Sequence, residues 1–192
     1  MIVRKQYKRS DLLISDSELR RRIRTIEQVS KSTPYPTKFQ LQDDYITRYL
    51  PMGPRDRLGY DSVPINGLLA IAETLDKAFQ IGLVHGDIHW KNIIDSECPT
   101  LVDWEPALSQ VKHERSVSMV TYPWIDPLDR TENIISSRTD LMCFAGLLGW
   151  KKVSYFSTSN WRILADNALR VRRPFTWILK STKLLGALKN VR

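Results

Sequence analysis

A chain of 192 residues with 42% hydrophobic and 26% charged side chains can bury one sizeable core, or two small lobes sharing a cleft, which excludes a disordered protein. Two cysteines, Cys98 and Cys143, form neither a metal-binding spacing nor a framework of bridges, so a reducing compartment is favoured. The net charge of +8 is uneven: residues 1–31 hold 9 Lys/Arg against 4 Asp/Glu, residues 32–149 hold 10 against 16, and residues 150–192 hold 10 against 1, so a polyanionic partner would be drawn to the two ends.

The opening MIVRKQYKRSDLL lacks the apolar core of a signal peptide, and the longest apolar run, 141–150, is too short to span a bilayer. A cytoplasmic location is the expectation. Residues 1–7 alternate weakly, as a strand would. Asp16-Ser17 ahead of Glu18-Leu19 marks a helix start, and Leu19, Ile23, Ile26 and Val29 recur at helical spacing up to about Ser32. Its run of arginines, Arg20, Arg21, Arg22 and Arg24, reads either as a solvated face or as a site for phosphate or another polyanion. Thr33-Pro34-Tyr35-Pro36 is a break; residues 38–41 and 45–49 then read as two strands joined by the Asp43-Asp44 turn, and the second ends in Leu50-Pro51-Met52-Gly53-Pro54. Over 63–82, Leu68, Leu69, Ile71, Ala72, Leu75, Ala78 and Phe79 predict an amphipathic core helix that stops at Gly82.

The next stretch, VHGDIHWKNIIDSECPTLVDWE at 84–105, carries the most chemistry. It runs from apolar to polar at His85-Gly86-Asp87, turns apolar at Asn92-Ile93-Ile94, breaks at Cys98-Pro99 and re-enters Leu101-Val102 before Asp103. That pattern predicts a loop, a short strand, a turn and a second strand. Such a hairpin brings Asp87, Asn92 and Asp103 to one end of two strands, a donor set suited to a hard cation such as Mg²⁺, with an acid to spare for orienting a hydroxyl nucleophile. In the last 40 or so residues, two helical stretches are separated by Pro174. Asn160 is a candidate cap for the first, with Trp161, Leu164, Ala168 and Leu169 on one face. The second aligns Phe175, Ile178, Leu179 and Leu185, with Lys180, Lys183 and Lys189 among them. A basic amphipathic helix can pack on the body of the protein or lie in a membrane interface.

His85-Gly86-Asp87-Ile88-His89 with Asn92, followed by Val102-Asp103-Trp104-Glu105, resembles the protein-kinase-like superfamily. The nearest variants are the aminoglycoside and choline phosphotransferases and the bacterial lipopolysaccharide-core sugar kinases. The resemblance implies an α+β, two-lobed fold with a truncated small β-lobe and hinge over 1–53 and a mainly helical large lobe over 54–192. It also implies an ATP-dependent phosphotransferase in which Asp87 is the catalytic base and Asn92 and Asp103 hold Mg²⁺. His85 would be a structural residue behind the loop, and Lys5 would be the phosphate-binding lysine. Tyr49 and Leu50 would stand at the adenine-binding hinge, where Arg48 replaces an acid common in relatives. The segment 121–127 is similar to the end of an activation segment, and Asp140 to an acid that anchors the catalytic loop.

The sequence departs from the family in two places. None of the eight glycines makes a G-x-G, so no glycine-rich cover for the ATP phosphates is present, and neither Glu18 nor Glu27 can be assigned as the acid that pairs with the lysine. His89 and Gly86, where protein kinases carry lysine and often arginine, favour a sugar or small alcohol over a protein. The basic ends fit an anionic or lipid-linked acceptor, such as a lipopolysaccharide-core-like glycan at the inner membrane face. A pseudokinase or binding module and an atypical protein Ser/Thr kinase are the alternatives. No groove-reading motif supports nucleic-acid binding.

Overall fold

The computed structural model describes residues 2–12, 14–51, 65–94, 96–104, 136–149 and 158–189. The expected activation-segment-like stretch at 121–127 lies outside them. The fold is mixed α+β: β1 (Ile2–Lys8), α1 (Asp16–Ser30), β2 (Lys38–Leu41), β3 (Tyr45–Pro51), α2 (Ile65–Gln80), β4 (Ile93–Ile94), β5 (Thr100–Leu101), α3 (Ser137–Gly149), α4 (Thr158–Ala168) and α5 (Pro174–Lys189). None of the described helices is long and apolar enough to cross a membrane.

β1, β3 and β2 form an antiparallel sheet in that order, and Lys5 stands opposite Arg48. The Asp43-Asp44 turn closes the β2–β3 hairpin as expected, with Gln42 and Tyr45 exchanging backbone hydrogen bonds at 2.8 and 3.3 Å. β3 runs on to Pro51, past the expected end at 49, because its residues up to there keep pairing with β1.

The cap of α1 is Ser15, one residue ahead of the expected Asp16-Ser17 start, because its Oγ accepts from the Glu18 amide. Leu19, Ile23, Ile26 and Val29 are buried, as the 3–4 spacing requires. The two candidate acids of this helix, Glu18 and Glu27, are committed elsewhere. Glu18 binds Arg21 and Arg22, a mutual neutralisation that lowers its carboxyl to about 2, and Glu27 accepts from the Phe39 amide of β2 at 3.0 Å. Arg20 and Arg24 are solvent-exposed.

α2 buries Ile71, Ala72, Leu75 and Ala78 in one core with Phe175 and Ile178 of α5, on which it packs, and Leu141 and Phe144 of α3. The helix ends at Gln80, short of Gly82, which takes a left-handed φ of 71° to turn the chain toward the 84–105 stretch. Asp76 reaches from α2 to the start of α5 and accepts from the Phe175 and Thr176 amides at 2.8 and 3.2 Å. The first free N–H groups of α5 are thus capped from another helix. With Phe175, Ile178 and Leu179 buried, this end of the basic helix packs on the core. Asn160 falls inside the first turn of α4, whose helix already begins at Thr158, and Leu169 is exposed while Ala165 and Ala168 fill the buried positions.

Gly67 of α2 lies against the β4–β5 turn, where an added Cβ would stand 2.6 Å from Cγ of Pro99. A proline ring cannot swing aside. Gly67→Ala is therefore expected to cost roughly 1–3 kcal/mol of stability by overpacking, despite alanine's better helix propensity, and urea unfolding would read it.

Candidate active site

The polar part of the 84–105 stretch is shaped from behind. Asp140, in the first turn of α3, accepts from the His85 amide at 2.6 Å and the Gly86 amide at 2.8 Å. The helix itself is capped by Ser136, whose Oγ takes the Thr139 amide, so Asp140 is free for the loop. Gly86 has φ of 83°, a left-handed conformation that a side chain would strain. His85 is fully buried. Its Nδ1 accepts from the Asp87 amide at 3.2 Å, so Nε2 carries the proton and donates to the Val102 carbonyl at 3.1 Å, with the ring 4.5 Å from that of Trp104. Burial lowers the His85 pKa to about 4 and raises that of Asp140 to about 7, the two backbone N–H groups opposing the latter.

On this frame Asp87 is held by one oxygen only. Oδ2 accepts from Asn92 Nδ2 at 2.8 Å and lies 3.3 Å from His89 Nε2. Because His89 Nδ1 accepts from the Lys91 amide, the proton of a neutral His89 sits on Nε2 and points at Asp87. Asn92 also donates to the Asp87 carbonyl at 2.9 Å, which turns its Oδ1 away from Asp87. Asp87 Oδ1 is buried and has no hydrogen-bond partner among the described residues. Burial pushes the Asp87 carboxyl up, but His89, His85 and Asn92 outweigh it, and the net direction is down.

Asp103 follows β5, whose exit is tied to the loop by the Val102 amide donating to the Asn92 carbonyl at 2.8 Å. Its φ of 75° is unusual for a residue with a side chain and costs on the order of 1 kcal/mol, the kind of strain found at ligand sites. Lys5 Nζ donates to Oδ2 at 3.2 Å, and Arg48 forms an ion pair with Oδ1. Burial pushes this carboxyl up as well; Arg48 and Lys5 prevail and hold it below the usual carboxylate range.

No known family model matches the chain, and no curated protein matches it in sequence.

The structure brings Lys5 to Asp103 and Asn92 to Asp87, and it ties the two groups together through the Val102–Asn92 backbone bond. Tyr49 is not in this cluster. It alternates with Arg48 along β3 and donates its hydroxyl to Gln40 at 2.7 Å, while the neighbouring Leu50 pairs with Val3. Arg48, to which sequence reasoning gave no role beyond replacing a hinge acid, is the addition. The strand register places it beside Lys5, and its side chain is completely buried. A charged residue in an otherwise apolar-alternating strand was the available signal, but its target depends on tertiary packing.

Among the described residues no three His, Cys, Asp or Glu side chains converge as a metal site. Two ionised carboxylates and the Asn92 amide oxygen fall short of an all-protein cage. By donor type, Asn92 Oδ1 and Asp103 are oxygens of the kind Mg²⁺ takes beside phosphate oxygens and water, but both Asp103 oxygens are engaged by Lys5 and Arg48.

Proposed function

We propose that this chain is an ATP-dependent phosphotransferase of the protein-kinase-like superfamily, with a small lobe over residues 1–53 and a helical lobe over 54–192. The acceptor is a hydroxyl of a sugar, another small molecule or a lipopolysaccharide-core-like glycan. The observation that carries this reading is Asp87: one carboxylate oxygen is tethered by Asn92 and His89, and the other is buried and has no hydrogen-bond partner among the described residues. That arrangement suits a group that must receive a hydroxyl proton in a fixed direction.

In this reading Asp87 Oδ1 accepts the hydrogen bond of the acceptor hydroxyl. As the new P–O bond forms and the bond to the leaving ADP oxygen breaks, the hydroxyl proton passes to Oδ1. Lys5, whose side chain is partly exposed, binds phosphate oxygens. Asn92 Oδ1 and Asp103 would hold Mg²⁺, which supplies charge neutralisation on the phosphates. Asp140 and His85 keep the loop rigid, since a shift of about 1 Å at the reacting atoms can cost on the order of a hundredfold in rate.

The commitment of both Asp103 oxygens to Lys5 and Arg48 favours a second reading, a nucleotide-binding module without turnover. An ADP-release assay with Mg-ATP against panels of sugars, lipid-linked glycans and peptides separates the two. Acceptor-dependent release with sugars or glycans is the expected result; release with peptides alone would move the acceptor to protein hydroxyls. ATP binding without release on any panel would leave the binding module.

A further inference from the structure

Arg48 is a buried guanidinium with one charged partner among the described residues, Asp103, and its Nε and Nη1 have no hydrogen-bond partner among them. Such a group is costly to keep unless the carboxylate opposite stays ionised. Its position is built in: the β1–β3 register sets it across from Lys5, and the Tyr7 ring, two residues along the same strand as Lys5, lies 5.9 Å from the guanidinium carbon. Lys5 differs in being 42% exposed at its side chain. Arg48 is therefore buried against Asp103, while the Lys5 side chain reaches solvent.

A carboxylate at the floor of a phosphate site repels phosphate, and a divalent cation ordinarily removes that repulsion by bridging the two. Here the Asp103 carboxylate already meets two cations, Arg48 at Oδ1 and Lys5 at Oδ2. Resting on the phosphotransferase reading, we propose that Arg48 is the resident counter-charge of Asp103, a positioning residue that lets this site bind ATP without a divalent cation. Arg48 does not touch the nucleotide in this scheme; it acts through Asp103.

Calorimetric titration of ATP in excess EDTA and in magnesium tests it on the wild-type chain, Arg48→Met, Arg48→Lys and the double variant Arg48→Met/Asp103→Asn. The wild type is expected to bind in EDTA within about tenfold of its magnesium affinity, and Arg48→Met to lose at least about tenfold in EDTA but less than about threefold in magnesium, the scale of one uncompensated charge in a partly screened site. Arg48→Lys should retain binding in EDTA, and the double variant should recover it, because the repelling carboxylate is gone as well. That recovery is not expected if Arg48 only supports the fold, and the neutral double variant also serves if Arg48→Met does not fold. Wild-type binding in magnesium alone would overturn the proposal and leave the phosphotransferase reading intact, as would an Arg48→Met variant that binds in EDTA like the wild type. If no ATP binds in either condition, the phosphotransferase reading falls. Titration with tripolyphosphate then decides Arg48: binding in EDTA that Arg48→Met weakens keeps the anion site, and its absence removes it.

Discussion

Asp87→Asn is expected to lower acceptor-dependent turnover by roughly 10² to 10⁴-fold while leaving Mg-ATP affinity within a few fold, because it removes the proton acceptor and keeps the shape. The reason the effect should fall on the rate is Oδ1, which has no hydrogen-bond partner among the described residues. Since its neighbours hold the Asp87 carboxyl below its ordinary value, it is a weak base, and most of its contribution is to orient the attacking hydroxyl while the proton moves late. Separate measurement of turnover and of nucleotide affinity checks this. Near-normal turnover would remove Asp87 from the chemistry, and a parallel collapse of ATP binding would make it a structural residue.

The second large effect is expected at Asp140. Asparagine there can accept only one of the two amide bonds that the carboxylate takes from His85 and Gly86, so Asp140→Asn should cost about 2–4 kcal/mol through a buried N–H left unpaired. It should also change how stability responds to acid. Between pH 6.5 and about 4 the unfolded chain protonates His85 and the folded chain does not, so acidification across this window destabilises the fold by up to about 1.4 kcal/mol per pH unit. Asp140 works in the opposite direction. Its folded carboxyl takes a proton near pH 7 and its unfolded one near 3.8, so acidification through the same window stabilises the fold with a similar slope. In the wild type the two contributions nearly cancel. In Asp140→Asn the His85 slope stands alone, and stability should fall by roughly 2–3 kcal/mol more than in the wild type between pH 6.5 and 4.5. Urea midpoints over that range would read it, and parallel curves for the two proteins would refute the opposed titrations.

Much of this molecule was legible in the order of its residues, because the relevant signals are local. The 3–4 spacing of Leu19, Ile23, Ile26 and Val29 specified α1, and the Asp43-Asp44 turn between two β-rich runs specified a hairpin. The polar triplet at His85-Gly86-Asp87 and the break at Cys98-Pro99 marked the loop and the turn between β4 and β5, and with them the nearness of Asn92 to Asp87, though not the hydrogen bond between them. Helix ends were less legible: Ser15 and not Asp16-Ser17 caps α1, and Asn160 lies within α4, because which of several polar residues caps depends on where the chain arrives from.

What only the tertiary structure decided are the charge partnerships across long chain separations. Nothing local in Arg48 says whether it faces solvent or the cleft, since a strand's register against a partner some 40 residues away determines which face each side chain takes, and a slip of one residue would reverse it. The same holds for Asp76, which caps a helix about 100 residues on, and for Lys5, whose carboxylate partner among the described residues is Asp103. Periodicity reports which side of an element is buried; which charge meets which across the core is determined when the elements pack.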